Sequence, residues 1–174
     1  GLGSCVGVAI YDQTIKLGGL IHIMLPHNNK NSSKITKYAN TGLPFLIEQM
    51  VKKGAARNNL TAKIAGGANM FSEINKSPQL NIGERNVTAV SQILKKEKIE
   101  ITGKDVGGEY GRTMKFDIEN GEVTIKSKNG KKAIWIFPYI FLYNEEYTFF
   151  SPYLVGWKIN SVLPKNIYPL EFKT

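Results

Sequence analysis

Two stretches near the start of the chain alternate with a period of two. Val6, Val8 and Ile10 alternate with Cys5, Gly7, Ala9 and Tyr11, and Ile21, Ile23 and Leu25 alternate with Leu20, His22 and Met24, the spacing of half-buried strands. Asp12-Gln13-Thr14 is the polar break. A tight hairpin about Gln13 and Thr14 would set Asp12 across from Ile15 and Cys5 across from His22. A register slip of two leaves that pair diagonal; a slip of one puts it on opposite faces.

The period then changes. Leu43, Leu46, Ile47, Met50 and Val51 recur at three and four, predicting a helix over Thr41 to Lys53 with Thr41 as N-cap, Pro44 in the first turn and Gly54 as the stop. A short strand, Ala62 to Ala65, ends in Gly66-Gly67. Asn81 with Glu84 three residues on signals a capping box, and Val87, Val90, Ile93 and Leu94 predict a second helix closing on Lys95-Lys96-Glu97-Lys98. Ile99 to Thr102 reads as a strand and 103–111 as a loop. Arg112 to Ile118 alternates, Asn120-Gly121 signals a two-residue hairpin turn, and Val123 and Ile125 return.

Composition narrows the class. At 174 residues the chain suits one domain with its own core. One cysteine permits no internal disulfide and points to a reducing, cytoplasmic setting. A formal charge of +9 favours an acidic partner or simply a well-solvated surface. The cations are scattered, with no basic helix, zinc finger or aromatic base-stacking pattern, so nucleic acid is not expected as a partner. The chain has no dinucleotide fingerprint or phosphate loop, and no Cys or carboxylate cluster beside His27. No cofactor and no metal are therefore expected.

Residues 132–174 differ in character, with 12 of the 18 aromatic residues and Pro138, Pro152, Pro164 and Pro169. The apolar run Ile134 to Tyr143 is too short for a membrane span, which needs about 20 residues, so no membrane insertion is expected. The expected organisation is a domain over 1–131 and an unassigned aromatic extension over 132–174.

Cys5 and His22 are the candidate chemistry. A thiolate is the nucleophilic form of cysteine, and a nearby imidazole can take the thiol proton and return it to a leaving group. Gly1, Gly3 and Gly7 leave the backbone around the thiol uncovered, so N–H groups of Ser4 or Cys5 could face an oxyanion. The residues alone equally allow an inert apolar cysteine and a structural histidine.

Four motifs in order, Gly1-Leu2-Gly3-Ser4-Cys5-Val6, Gly19-Leu20-Ile21-His22-Ile23-Met24-Leu25-Pro26, Ile64-Ala65-Gly66-Gly67-Ala68-Asn69-Met70-Phe71 and Asn81-Ile82-Gly83-Glu84-Arg85-Asn86-Val87, resemble the CheD family of chemoreceptor glutamine deamidases. The resemblance implies an α+β fold, a layered sandwich of mostly antiparallel strands with two main helices. It implies Cys5 as nucleophile and His22 as its base. Gly3, Ser4, Gly66, Gly67 and Asn69 would form the oxyanion site and pocket, and Arg85 and Asn86 would support it. Chemotaxis receptors are the implied substrate and the CheC phosphatase the implied partner. In that family a catalytic threonine lies just upstream of the first glycine, so with the sequence opening at Gly1 that residue and its strand are expected to be missing. The rival expectation is a catalytically silent module that binds receptor or CheC; a thiol hydrolase of other specificity is a third.

Overall fold

The computed structural model describes residues 1–29, 32–69 and 81–134, which fall in one compact unit spanning 1–136. Met70, Phe71 and the extension beyond residue 134 lie outside the described residues.

The elements are β1 (Val6–Asp12), β2 (Leu17–Ile23), α1 (Ala39–Lys52), β3 (Leu60–Gly66), α2 (Ile82–Lys96), β4 (Glu100–Val106), β5 (Arg112–Phe116), β6 (Val123–Ser127) and β7 (Gly130–Ile134). One sheet has the order β2-β1-β3-β4 and the other β5-β6-β7. All pairings are antiparallel except β3 with β4. The architecture is an α+β sandwich in three layers: both helices, the four-stranded sheet, then the three-stranded sheet. β7 pairs with β6 across position 131, so residues 132–134 complete a sheet of this unit; the sequence pattern did not foresee that strand.

Each face of the central sheet has its own core. Val6, Val8, Ile10, Ile21, Ile23 and Ile64 pack against Leu43, Ile47 and Met50 of α1 and Val90 and Leu94 of α2. Burial of one such side chain contributes about 2 kcal/mol. On the opposite face Ala9 and Ala65 meet Val123, Ile125 and Ile134 of the second sheet. β1 is thus buried on both faces along its whole length, not half-buried as its alternation implied. Gly7 and Ala9 let the second sheet approach closely, a Cβ at Gly7 falling 2.8 Å from Met114 Sδ, and Tyr11 packs edge-on against Phe116.

The first hairpin differs from the tight turn expected. Asp12 faces Leu17 and Gly7 faces His22, a register shifted by two, with a four-residue loop over 13–16. Asp12 explains the shift. Its buried carboxylate accepts from Thr14 N at 2.9 Å and from Ala56 N at 3.2 Å, tying the turn to the end of α1, while Lys16 takes a left-handed φ of 50° to close the loop. A two-residue slip preserves the face of every side chain.

Three smaller differences have local causes. α1 begins at Ala39 with Tyr38 as N-cap, because Thr41 Oγ1 donates to Ile35 O at 2.6 Å instead of capping. Pro44 therefore falls inside the helix. The β5–β6 connection spans 117–122 and is closed by Asp117 N to Glu122 O at 2.9 Å, not a two-residue turn. β4 runs on to Val106 because it adds parallel to β3. α2 matches its expectation: Asn81 caps it, accepting from Glu84 N at 3.1 Å and donating to Glu84 Oε2 at 2.9 Å.

Between the sheets lies Lys63, buried on β3, with Nζ donating to Gly121 O at 2.8 Å. Burial lowers its pKa to about 8, against the opposing pull of Glu122. Below about 8 both folded and unfolded chains hold the proton and the full cost of burying the ammonium is present. Above the ordinary lysine range, about 10.4, neither does. The folded state binds fewer protons in between, so stability rises with pH across that window. Lys63→Met should remove this rise, so that the stability difference between the two moves in the wild type's favour by about 3 kcal/mol between those limits, as read by denaturant melts at pH 7.5 and 10.5.

Candidate active site

The loop that feeds β1 is held by its carbonyls. Leu2 O accepts from Arg112 N at 2.9 Å, Gly3 O from Ala68 N at 2.8 Å, Ser4 O from Asn86 Nδ2 at 2.9 Å and Cys5 O from Gly67 N at 2.8 Å. Four consecutive oxygens are therefore turned into the protein. In a trans peptide the N–H points opposite to the C=O, so the Ser4 and Cys5 N–H groups are directed away from these anchors. An oxyanion site needs N–H groups that are not turned into such anchors.

Each anchor has a sequence-level cause. Gly66 and Gly67 have φ of 113° and 65°, backbone that residues with a side chain rarely adopt. A Cβ at Gly66 would overlap the Cys5 carbonyl oxygen, and one at Gly67 would overlap Val87. At Gly83, in the first turn of α2, a Cβ would fall 2.5 Å from Gly67 O. The glycine turn and α2 thus approach backbone to backbone, and Asn86, one turn further on, reaches the loop.

Cys5 is a free, partly buried thiol that packs against the second core with Met114 and Phe116. His22 is exposed on the edge strand β2. Ile21 and Ile23 point to the helices, so His22 takes the other face, the face of the second core. The thiol and the imidazole therefore lie on the same side of the sheet: His22 faces Gly7, and Cys5 comes just before the ladder's end pair, Val6 with Ile23.

Burial pushes the Cys5 thiol above its ordinary range, while the Lys37 ammonium pulls the other way. Lys37 is brought here by the end of β2, where Met24 N and Leu25 N donate to its carbonyl at 2.9 and 3.2 Å. Lys37→Met should push the thiol higher still. Alkylation of Cys5 by iodoacetamide at pH 7.5 should then slow by about threefold, with the rate-against-pH curve displaced to alkaline pH.

The remaining expected residues separate into two groups. Gly3, Ser4, Gly66, Gly67 and Asn86 converge on the loop; Asn69 N donates instead to Gly108 O at 2.8 Å, in the loop over 107–111. Arg85 is exposed on α2, facing away from the buried side that carries Asn86.

Arg112 also contributes to the site. Buried at the start of β5, it pairs by backbone with Leu2 in both directions. Its guanidinium grips Asp105 and the carbonyl of Gly107, with Cζ 4.7 Å from the Tyr110 ring centroid. One residue thus ties the cysteine loop to the loop over 107–111.

These features define a class: an α+β sandwich with a lone thiol in a glycine-clamped loop and an imidazole on the same face. The family model described as CheD chemotactic sensory transduction matches residues 24–127, a span that begins just after His22. The chain is 52% identical over 130 residues to a probable chemoreceptor glutamine deamidase CheD of Caldanaerobacter subterraneus subsp. tengcongensis, covering 73% of this chain and 80% of the relative. It is 49% identical over 129 residues to the protein of that name in Desulforamulus reducens, covering 73% and 78%. A third, from Clostridium botulinum strain Eklund 17B, is 51% identical over 128 residues, covering 72% and 79%. The chain belongs to the CheD family.

Proposed function

We propose that this chain is a protein-glutamine deamidase that hydrolyses glutamine side chains of chemotaxis receptors, with Cys5 as nucleophile and His22 as acid and base. The observation that carries the reading is the clamped loop. It holds a half-buried thiol on the side of the sheet that also bears the exposed imidazole, with the Ser4 and Cys5 N–H groups directed away from the carbonyl anchors. The names of the relatives supply the substrate class.

The steps follow from these groups. His22 takes the Cys5 proton, and the sulfur attacks the carboxamide carbon; the oxyanion is stabilised by the Ser4 and Cys5 N–H groups. His22 then protonates the nitrogen, the C–N bond breaks, ammonia leaves and a thioester stays on Cys5. A water gives a proton to His22 and attacks the thioester. The C–S bond breaks, the sulfur recovers its proton, and the substrate keeps a glutamate carboxylate. Because burial raises the thiol, little thiolate exists at neutral pH without the base, which makes His22 essential to the first step.

Gly3, Gly66 and Gly67 shape the loop, Asn69 borders it, and Asn86 holds it; Arg85, exposed, contributes only from the surface. The formal charge of +9 suits an acidic receptor helix, and the CheC phosphatase is the regulatory partner that membership of the family implies. A cytoplasmic location accords with the single cysteine. Among the described residues no helix is long and apolar enough to cross a membrane.

The raised thiol also favours a second reading, a silent module that binds receptor or CheC without turnover. Incubating the chain with a glutamine-bearing receptor fragment and following ammonia release separates the two. Stoichiometric binding with no ammonia, in this chain and in one extended upstream to restore the family's threonine, would establish the silent module.

A further inference from the structure

The β1–β2 ladder ends at Val6 and Ile23. One more step in register would set Cys5 across from Met24, but there the strands part. Met24 N donates not to β1 but to Lys37 O, at 2.9 Å. Asn86, 0% exposed on α2, bridges the gap. Its Nδ2 donates to Ser4 O at 2.9 Å and to Met24 O at 3.0 Å. One carbonyl belongs to the residue before Cys5 and the other to the second residue after His22.

We propose that Asn86 is a positioning residue whose carboxamide nitrogen sets the separation of the Cys5 and His22 backbones where the two strands fork. The inference rests on the catalytic reading of those two residues. The chemistry of the bridge is selective. A carboxamide nitrogen carries two donor protons, without charge, on a short rigid stem. A hydroxyl has one donor, and a lysine would bury a cation. The position of the bridge is itself fixed, because Gly83 presses α2 against the Gly67 and Ala68 carbonyls while Gly67 N holds Cys5 O. The fold tolerates a cost here: Asn86 Oδ1 is buried with no hydrogen-bond partner among the described residues. Buried groups left so are uncommon and call for a reason.

The test uses Asn86→Asp, similar in shape but unable to donate when ionised, and Asn86→Ala, with the folded fraction of each read by circular dichroism. Per folded molecule, kcat for ammonia release should fall about 100-fold, the scale of a small misplacement of reacting groups, with KM within about threefold. The pH profile of Cys5 alkylation should depart from the wild type's and match that of His22→Ala. A wild-type profile together with kcat within about threefold would overturn the proposal. If neither variant folds, the unmodified protein decides by NMR: slow exchange of the Asn86 carboxamide protons supports the bridge, and exchange as fast as a surface asparagine's overturns it. Failure of the catalytic reading is separately visible as ammonia release that survives Cys5→Ala.

Discussion

Cys5→Ala is expected to bring ammonia release from a glutamine-bearing receptor fragment down by at least about 1,000-fold, to the background of the fragment alone. Alanine removes the only sulfur nucleophile in the chain yet occupies less of the half-buried site, so folding and fragment binding should persist. Serine should do no better, since an alkoxide is far harder to generate than a thiolate. His22→Ala is expected to lose nearly as much. Burial raises the Cys5 thiol, so without a base almost all of it stays protonated at pH 7 and the departing nitrogen has no acid. Because the two act as one unit, the double substitution should cost about as much as either alone. Ammonia release with a normal rate in Cys5→Ala would remove the thiol from the reaction and the deamidase mechanism with it.

Gly66→Ala should have the largest effect on stability. Gly66 has a φ of 113°, and its Cβ would overlap the Cys5 carbonyl oxygen and sit 3.3 Å from Leu2 Cβ. Nothing at the end of a flexible side chain can yield, because the obstruction is backbone. The chain must give up the Gly67 N to Cys5 O bond of 2.8 Å and displace the loop. A loss of about 3 kcal/mol or more, roughly 10 °C in Tm, is expected. Gly54 provides the control. Its φ is 102°, but no atom lies within 4 Å of a Cβ there, so Gly54→Ala should cost only the backbone strain, about 1 kcal/mol. Equal Tm losses in the two variants would show that conformation alone, and not contact with the cysteine loop, makes Gly66 a glycine.

Some of this architecture was legible from spacing. The Asn81 and Glu84 pair located the start of α2 because a capping box is local: both partners lie within one turn. The face shared by Cys5 and His22 was legible because strand alternation survives any even slip. The register itself was not. It depends on Asp12, whose carboxylate reaches Ala56 44 residues away, and no pattern within the hairpin carries that contact. The start of α1 was misplaced for a similar reason, since Thr41 Oγ1 is taken by Ile35 O. β7 was passed over because Lys131 and Lys132 interrupt its alternation; it is a strand only because β6 offers an edge.

The four motifs in sequence determined the family and nominated the thiol, the imidazole and the glycines, because each motif needs particular residue types: a nucleophile, a base, backbone without Cβ. Tertiary structure alone decided how they meet. Arg112, Ala68, Gly67 and Asn86 come from four places in the chain to hold four consecutive carbonyls, and the buried second core sets the proton affinity of Cys5. The physical reason is that hydrogen bonds and burial act between neighbours in space, whereas alternation and capping act between neighbours along the chain.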